Sequence, residues 1–117
     1  MPRKPAVLAA VALAAVLAAA WPGRATADAA RRPERIVSLN LCTDQILLDL
    51  VPRTRIRALS YLAADPSVSA TAEAAKGIRL TRGDAEEVLA LDPDLVIAGQ
   101  WSTPAAVALL ERLGRRV

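Results

Sequence analysis

The stretch from Glu86 to Gly99, EEVLALDPDLVIAG, leaves few folds open. Its first half predicts a short helix over Asp84 to Leu91, with Asp84 as N-cap, two glutamates in the first turn, and Val88 and Leu89 facing inward. Pro93 stops that helix, because proline lacks the N–H that the next turn needs. A strand over Asp94 to Ala98 follows, continuously apolar from Leu95 onward. Strands without polar alternation are buried on both faces, and such strands belong to parallel sheets covered by helices.

The remaining segments agree. Arg35 to Asn40 and Arg55 to Ser60 predict strands, and Gly77 to Leu80 a brief extended piece. Thr43 to Val51 predicts a helix with Thr43 as N-cap, Asp44 favoured by the dipole, and Ile46, Leu47, Leu50 and Val51 on one face. Thr103 caps a last helix running to Leu113, with Pro104 at its favoured first position and Val107, Leu110 and Leu113 facing inward. Gly114 ends it, and Val117 starts a further strand. A short helix near Thr71 to Ala75 interrupts the long connection before Gly77. Strands alternating with helices give an α/β fold: a three-layer lobe with a mostly parallel sheet and helices on both faces.

Residues 1–27 read as a cleaved secretory signal: Arg3 and Lys4, then an apolar run from Ala6 to Ala20, then Ala25-Thr26-Ala27 as the cleavage site. Residues 28–117 form the exported lobe, periplasmic in a Gram-negative host. The net charge of +3 belongs to the leader, since Arg3, Lys4 and Arg24 leave with it and it holds no acid. The basic residues that remain are scattered and interleave with no aromatic stripe, which argues against a nucleic-acid surface. A single cysteine, Cys42, excludes an internal disulfide, and the absence of histidine excludes His-based triads and His metal sites. No phosphate loop, oxyanion-hole pattern or carboxylate pair appears, so the chain reads as a binding protein without a cofactor rather than an enzyme.

In an open parallel sheet, ligands meet the loops after the strands' carboxyl ends. Here those loops are Asn40-Leu41-Cys42-Thr43, Ser60-Tyr61-Leu62 and Gly99-Gln100-Trp101-Ser102. Tyr61 and Trp101 are the only aromatic residues after the leader, and both fall on such loops, which suits a stacking platform for a bulky or flat ligand. Cys42, with Asp44 close by and no histidine, reads as a small buried residue at a helix start rather than a nucleophile. Thr43 reads as a cap before a cluster of helix N-terminal amides.

The segments ERIVSLNLCTDQILLDL, IRALSYLAADP, GDAEEVLALDPDLVIAG and LLERLGRRV together resemble the amino-terminal lobe of the periplasmic solute-binding proteins of cobalamin and iron-siderophore ABC importers. The resemblance spans Pro33 to Val117. It implies a two-lobe protein whose lobes are joined by one long helix, with ligand held in the cleft between them. It further implies docking on a membrane permease driven by an ATPase. Tyr61 matches a tyrosine that contacts the corrin, and Glu86 matches a glutamate that pairs with permease arginines. Departures are also present. Gly99 stands where cobalamin binders place a Trp, with Trp101 two positions later; Leu80 replaces another Trp; Asp65 precedes Pro66 where haem binders carry a tyrosine. The second lobe is missing from the sequence, so the chain reads as a truncated lobe.

The expected function is therefore the substrate-binding part of an importer for a corrinoid or ferric siderophore. Leu41, Cys42, Thr43, Tyr61, Gln100 and Trp101 would line the ligand, and Glu86 would meet the permease. The alternative is a small exported interaction module of the same fold, which binds no small ligand and pairs with another chain, such as a separate second lobe.

Overall fold

The computed structural model describes residues 31–117, and the signal segment expected over residues 1–27 lies outside them. Four short runs form strands: β1 (Ile36–Ser38), β2 (Ile56–Ser60), β3 (Leu80–Thr81) and β4 (Leu95–Ile97). The helices are α1 (Leu41–Leu50), α2 (Ala72–Ala75), α3 (Ala85–Ala90) and α4 (Pro104–Arg112), with 3-10 turns at Arg53–Arg55 and Tyr61–Ala64. All pairings are parallel, and the order is β3-β2-β1-β4. The first crossover steps one way from β1 and the chain later returns to its other side, so the topological switch point lies between β1 and β4.

Two apolar layers flank the sheet. On one side Val37, Ala58 and Val96 meet Ala85, Val88 and Leu91 of the α3 region and Ala106 and Leu110 of α4. On the other, Ile36, Ile56 and Leu59 meet Leu47 of α1, Ala63 and Ala75. Neighbouring residues of β1 thus serve opposite layers, as the pleat requires. Between β1 and β2 the register shifts: Ile36 faces Ile56, but Val37 faces Ala58. Arg57 is the extra residue, exposed, with its Nε donating to the Leu91 carbonyl at 3.3 Å.

The PDLV turn is a tie between elements. The Asp94 carboxylate accepts the backbone N–H groups of Glu34 and Arg35, both at 2.8 Å, and so fixes the start of β1 against β4. Asp92, just before buried Pro93, has φ 47°, a left-handed conformation that ends α3. Its side chain pairs with Arg115 at 3.0 Å, which holds the chain leaving α4 near this turn.

Several expectations need correction. α1 begins at Leu41 rather than Thr43, and Asn40 is its N-cap. Its inner face is Asp44, Leu47, Leu48 and Val51, while Ile46 and Leu50 are 55% and 76% exposed. The buried acid hid this stripe from a search for apolar spacing. In α4 the inner pair is Ala106 and Leu110, and Leu113 is exposed. β4 is half-buried at Leu95 and Ile97, because α1 packs over β1 and β2 instead. Beyond α4 the chain returns along β4, where the Val96 N–H donates to the Arg116 carbonyl at 2.8 Å.

Candidate ligand-binding site

Each strand's carboxyl end leads into a loop fixed by local polar bonds. After β1, the Asn40 side chain accepts the Cys42 N–H at 2.9 Å and presents Leu41 and Cys42 in the first helical turn. Thr43 is turned back, its hydroxyl donating to the Asn40 carbonyl at 2.9 Å and lying 2.7 Å from the Ser38 hydroxyl. Cys42 is exposed, against the expectation of burial.

After β4, Gly99 and Ser102 close a tight turn. The Gly99 N–H donates to the Ser102 hydroxyl at 2.9 Å, and the Ser102 N–H donates to the Gly99 carbonyl at 2.9 Å. The Ser102 hydroxyl donates in turn to the Leu39 carbonyl at 3.2 Å, which pins this turn to the end of β1. Gln100 and Trp101 occupy the tip, and Trp101 is 85% exposed. A Cβ on Gly99 would stand 2.7 Å from the Asn40 Nδ2 and 3.0 Å from its Cγ. Any larger residue there would press on the Asn40 side chain that caps α1.

After β2, Asp44 governs the geometry. It is fully buried and accepts the Ser60 N–H at 3.1 Å and the Ser60 hydroxyl. Burial pushes its pKa above the ordinary carboxylate value, and the hydroxyls of Ser38 and Ser60 with the Ser60 N–H offset only part of that. The residue it fixes is the one before Tyr61, whose side chain is half exposed.

After β3, the Glu87 carboxylate accepts the Thr81 hydroxyl at 2.8 Å and the Arg82 N–H at 3.0 Å. Gly83 follows at φ 86° and donates its N–H to the Thr81 hydroxyl at 3.0 Å. Asp84 heads α3 but makes no side-chain cap bond, so Glu87 organises this turn in its place. The Arg82 guanidinium lies over the Tyr61 ring, 5.5 Å from its centre.

These four loops enclose one concavity of about 460 Å³ at the carboxyl ends of the strands, beside the switch point. Of the predicted residues, Leu41, Cys42, Tyr61 and Trp101 line it; Thr43 and Gln100 do not. Asn40 and Ser102, placed by the sequence on these loops but given no role in the site, line it as well, and sequence reading missed Arg82, since the brevity of β3 left its following loop unassigned. Glu86 is exposed on α3 outside the concavity. A larger hollow, about 570 Å³, lies toward the opposite end of the sheet between Arg53, Arg57 and Arg79. Its Arg53 is a clamp, donating to the carbonyls of Ala74 and Lys76, and no aromatic side chain lines it. Among the described residues no group of three or more acidic, cysteine or histidine side chains is placed to hold a metal. No family model, curated protein or solved structure matches this chain.

Proposed function

We propose that the unit Pro33–Val117 is the amino-terminal lobe of a substrate-binding component of an ABC importer, with a ferric siderophore or corrinoid as its ligand. One observation carries the reading. The only aromatic side chains after the leader, Tyr61 and Trp101, come from loops forty residues apart in sequence and line one concavity at the switch point of a parallel sheet. Neither ring is spent on the core, where a chain so poor in aromatics gains most from them. The resemblance of the sequence segments supports the same reading. Glu86, an exposed carboxylate on α3, suits electrostatic docking to a basic permease surface.

The alternative, an interaction module pairing through a sheet edge, is narrowed to the β3 edge, because one backbone donor of the β4 edge is already bonded to Arg116.

Equilibrium dialysis of the full chain against ferric siderophores and cyanocobalamin tests the reading, with intrinsic fluorescence recorded in parallel. Binding by at least one of them is expected, with quenching that shrinks in Trp101→Phe and affinity that falls in Tyr61→Ala. Glu86→Gln is expected to leave affinity intact and lower uptake through the permease. Lack of binding by every probe overturns the proposal.

A further inference from the structure

We infer that the hollow at the amino ends of β2, β3 and β4 is a second site, which binds an anion carrying several phosphate charges. It lies apart from the aromatic concavity and does not depend on the binding-lobe reading. The segments that lead into those strands line about 570 Å³, and Arg53, Arg57 and Arg79 are the only lining residues with a formal charge. Arg79 is far from the other two in sequence. Pairing of β3 on β2 brings it to them, with the Leu59 N–H donating to the Arg79 carbonyl at 2.9 Å.

No ion pair among the described residues neutralises these three charges. The pairs that form engage Arg35, Arg55, Lys76 and Arg115 instead. The acids on neighbouring turns are thereby spent: Glu34 on Arg55, Glu73 on Lys76, and Asp92 on Arg35 and Arg115. Like charges gathered without a carboxylate repel one another, and a bound anion relieves that repulsion.

The placement of the three is also built. The Arg53 guanidinium donates to the carbonyls of Ala74 and Lys76, which fixes its charge at one wall. Gly77, at φ 80°, turns the chain beside it and puts no side chain into the space. Arg57 is the extra residue where the register shifts between β1 and β2, and such irregularities re-aim a side chain away from the ladder. Its Nε is engaged by the Leu91 carbonyl, which leaves both terminal nitrogens to donate elsewhere. Arg79 is exposed.

The ligand chemistry follows from what the hollow offers. Ile56 and Leu91 in its lining are already buried in the two apolar layers, and no aromatic side chain is present, so charge is the main attraction. The volume falls in the range of small-molecule pockets. Guanidinium forks pair in plane with phosphate oxygens, and three of them suit an anion with several such charges. That chemistry is shared by soluble oligophosphates and by the headgroups of anionic phospholipids.

The test titrates the full chain with tripolyphosphate, with thermal melts recorded in parallel. Saturable binding of one anion per chain is expected, with a raised melting midpoint and an affinity that falls as salt rises. Replacing Arg57→Gln and Arg79→Gln together should weaken binding roughly tenfold to hundredfold, the range for hydrogen bonds to charged groups. Arg57→Lys with Arg79→Lys should recover part of the loss, since it restores charge without the planar fork. Arg112→Gln, at an exposed arginine of α4 outside the hollow, should leave affinity unchanged. Vesicles of phosphatidylcholine, with and without an equal part of phosphatidylglycerol, separate the two sources. Retention by the anionic vesicles in excess of the neutral ones, abolished by the double glutamine variant, assigns the phosphate to a lipid. No such excess, or one that the variant leaves intact, assigns it to a soluble anion. Absence of saturable tripolyphosphate binding overturns the inference, as does an equal loss in Arg112→Gln. Equally tight binding of a short polyglutamate peptide also overturns it, since charge alone would then suffice.

Discussion

Asp44 and Asp94 show how one residue type can act in opposite directions with pH. For Asp44, burial raises the folded pKa, so its contribution to stability is complete below the ordinary carboxylate value and is lost as pH climbs through the raised one. For Asp94, burial also works against the charge, but the N–H groups of Glu34 and Arg35 and the charge of Arg35 outweigh it and lower the pKa. Its contribution is present above the ordinary value and is lost as pH falls through the lowered one. Urea midpoints measured across the acid range should therefore respond oppositely to the two amide variants. Asp94→Asn should remove part of the loss on acidification, and Asp44→Asn should remove a rise in stability as pH drops toward the ordinary carboxylate range. Asp44→Ala should cost about 1–3 kcal/mol at neutral pH, since it strands a buried N–H and hydroxyl of Ser60. Gly99 makes a second residue-scale case. Gly99→Ala should cost about 1–2 kcal/mol in the same assay, because its methyl would force the Asn40 cap out of place.

At the scale of elements, the existence and order of the strands and helices could be read from the chain, and so could the inner face of α3, whereas the faces of α1 and α4 could be read only in part: Leu47, Val51 and Leu110 pack inward as spaced, but Ile46, Leu50 and Leu113 do not. Apolar spacing pointed to Ile46 and Leu50 in α1, yet the stripe that meets the sheet includes Asp44. Periodicity assigns an acid to solvent, and only the serine hydroxyl and amide waiting at the end of β2 make its burial tolerable. The start of α1 moved for a related reason: Asn40, two residues from the strand end, had a side chain able to cap, and the distinction between it and Thr43 is a matter of three-dimensional placement. The corrected face is open to measurement. Leu47→Ala should cost about 2–5 kcal/mol, while Leu50→Lys should stay within about 0.5 kcal/mol of wild type. Equal costs at the two positions would mean that α1 packs by the apolar spacing after all.

For the whole molecule, stability and the candidate site draw on different residues. Val37, Ala58 and Val96 on one face, and Ile36, Ile56 and Leu59 on the other, anchor two separate apolar layers, and neither includes an aromatic ring. Trp101→Ala should therefore shift the unfolding free energy by less than about 0.5 kcal/mol, and Tyr61→Ala, at a half-buried ring, by about 1 kcal/mol, while each weakens ligand binding. Leu110→Ala, at the centre of the α4 layer, should cost about 2–5 kcal/mol.

By itself the sequence determined that the chain forms a parallel α/β lobe, because continuously apolar strands between capped helices have few other ways to leave water. It also determined that the rings of Tyr61 and Trp101 stand on loops after strands, because breakers and caps fix where each element stops. Tertiary structure alone decided which loops share a concavity. The strand order β3-β2-β1-β4 brings the ends of all four together, and with them Arg82, whose strand is too short to leave a clear pattern in the chain. Local rules act over a few residues, whereas the register that sets Arg82 on Tyr61 comes from pairing across the sheet.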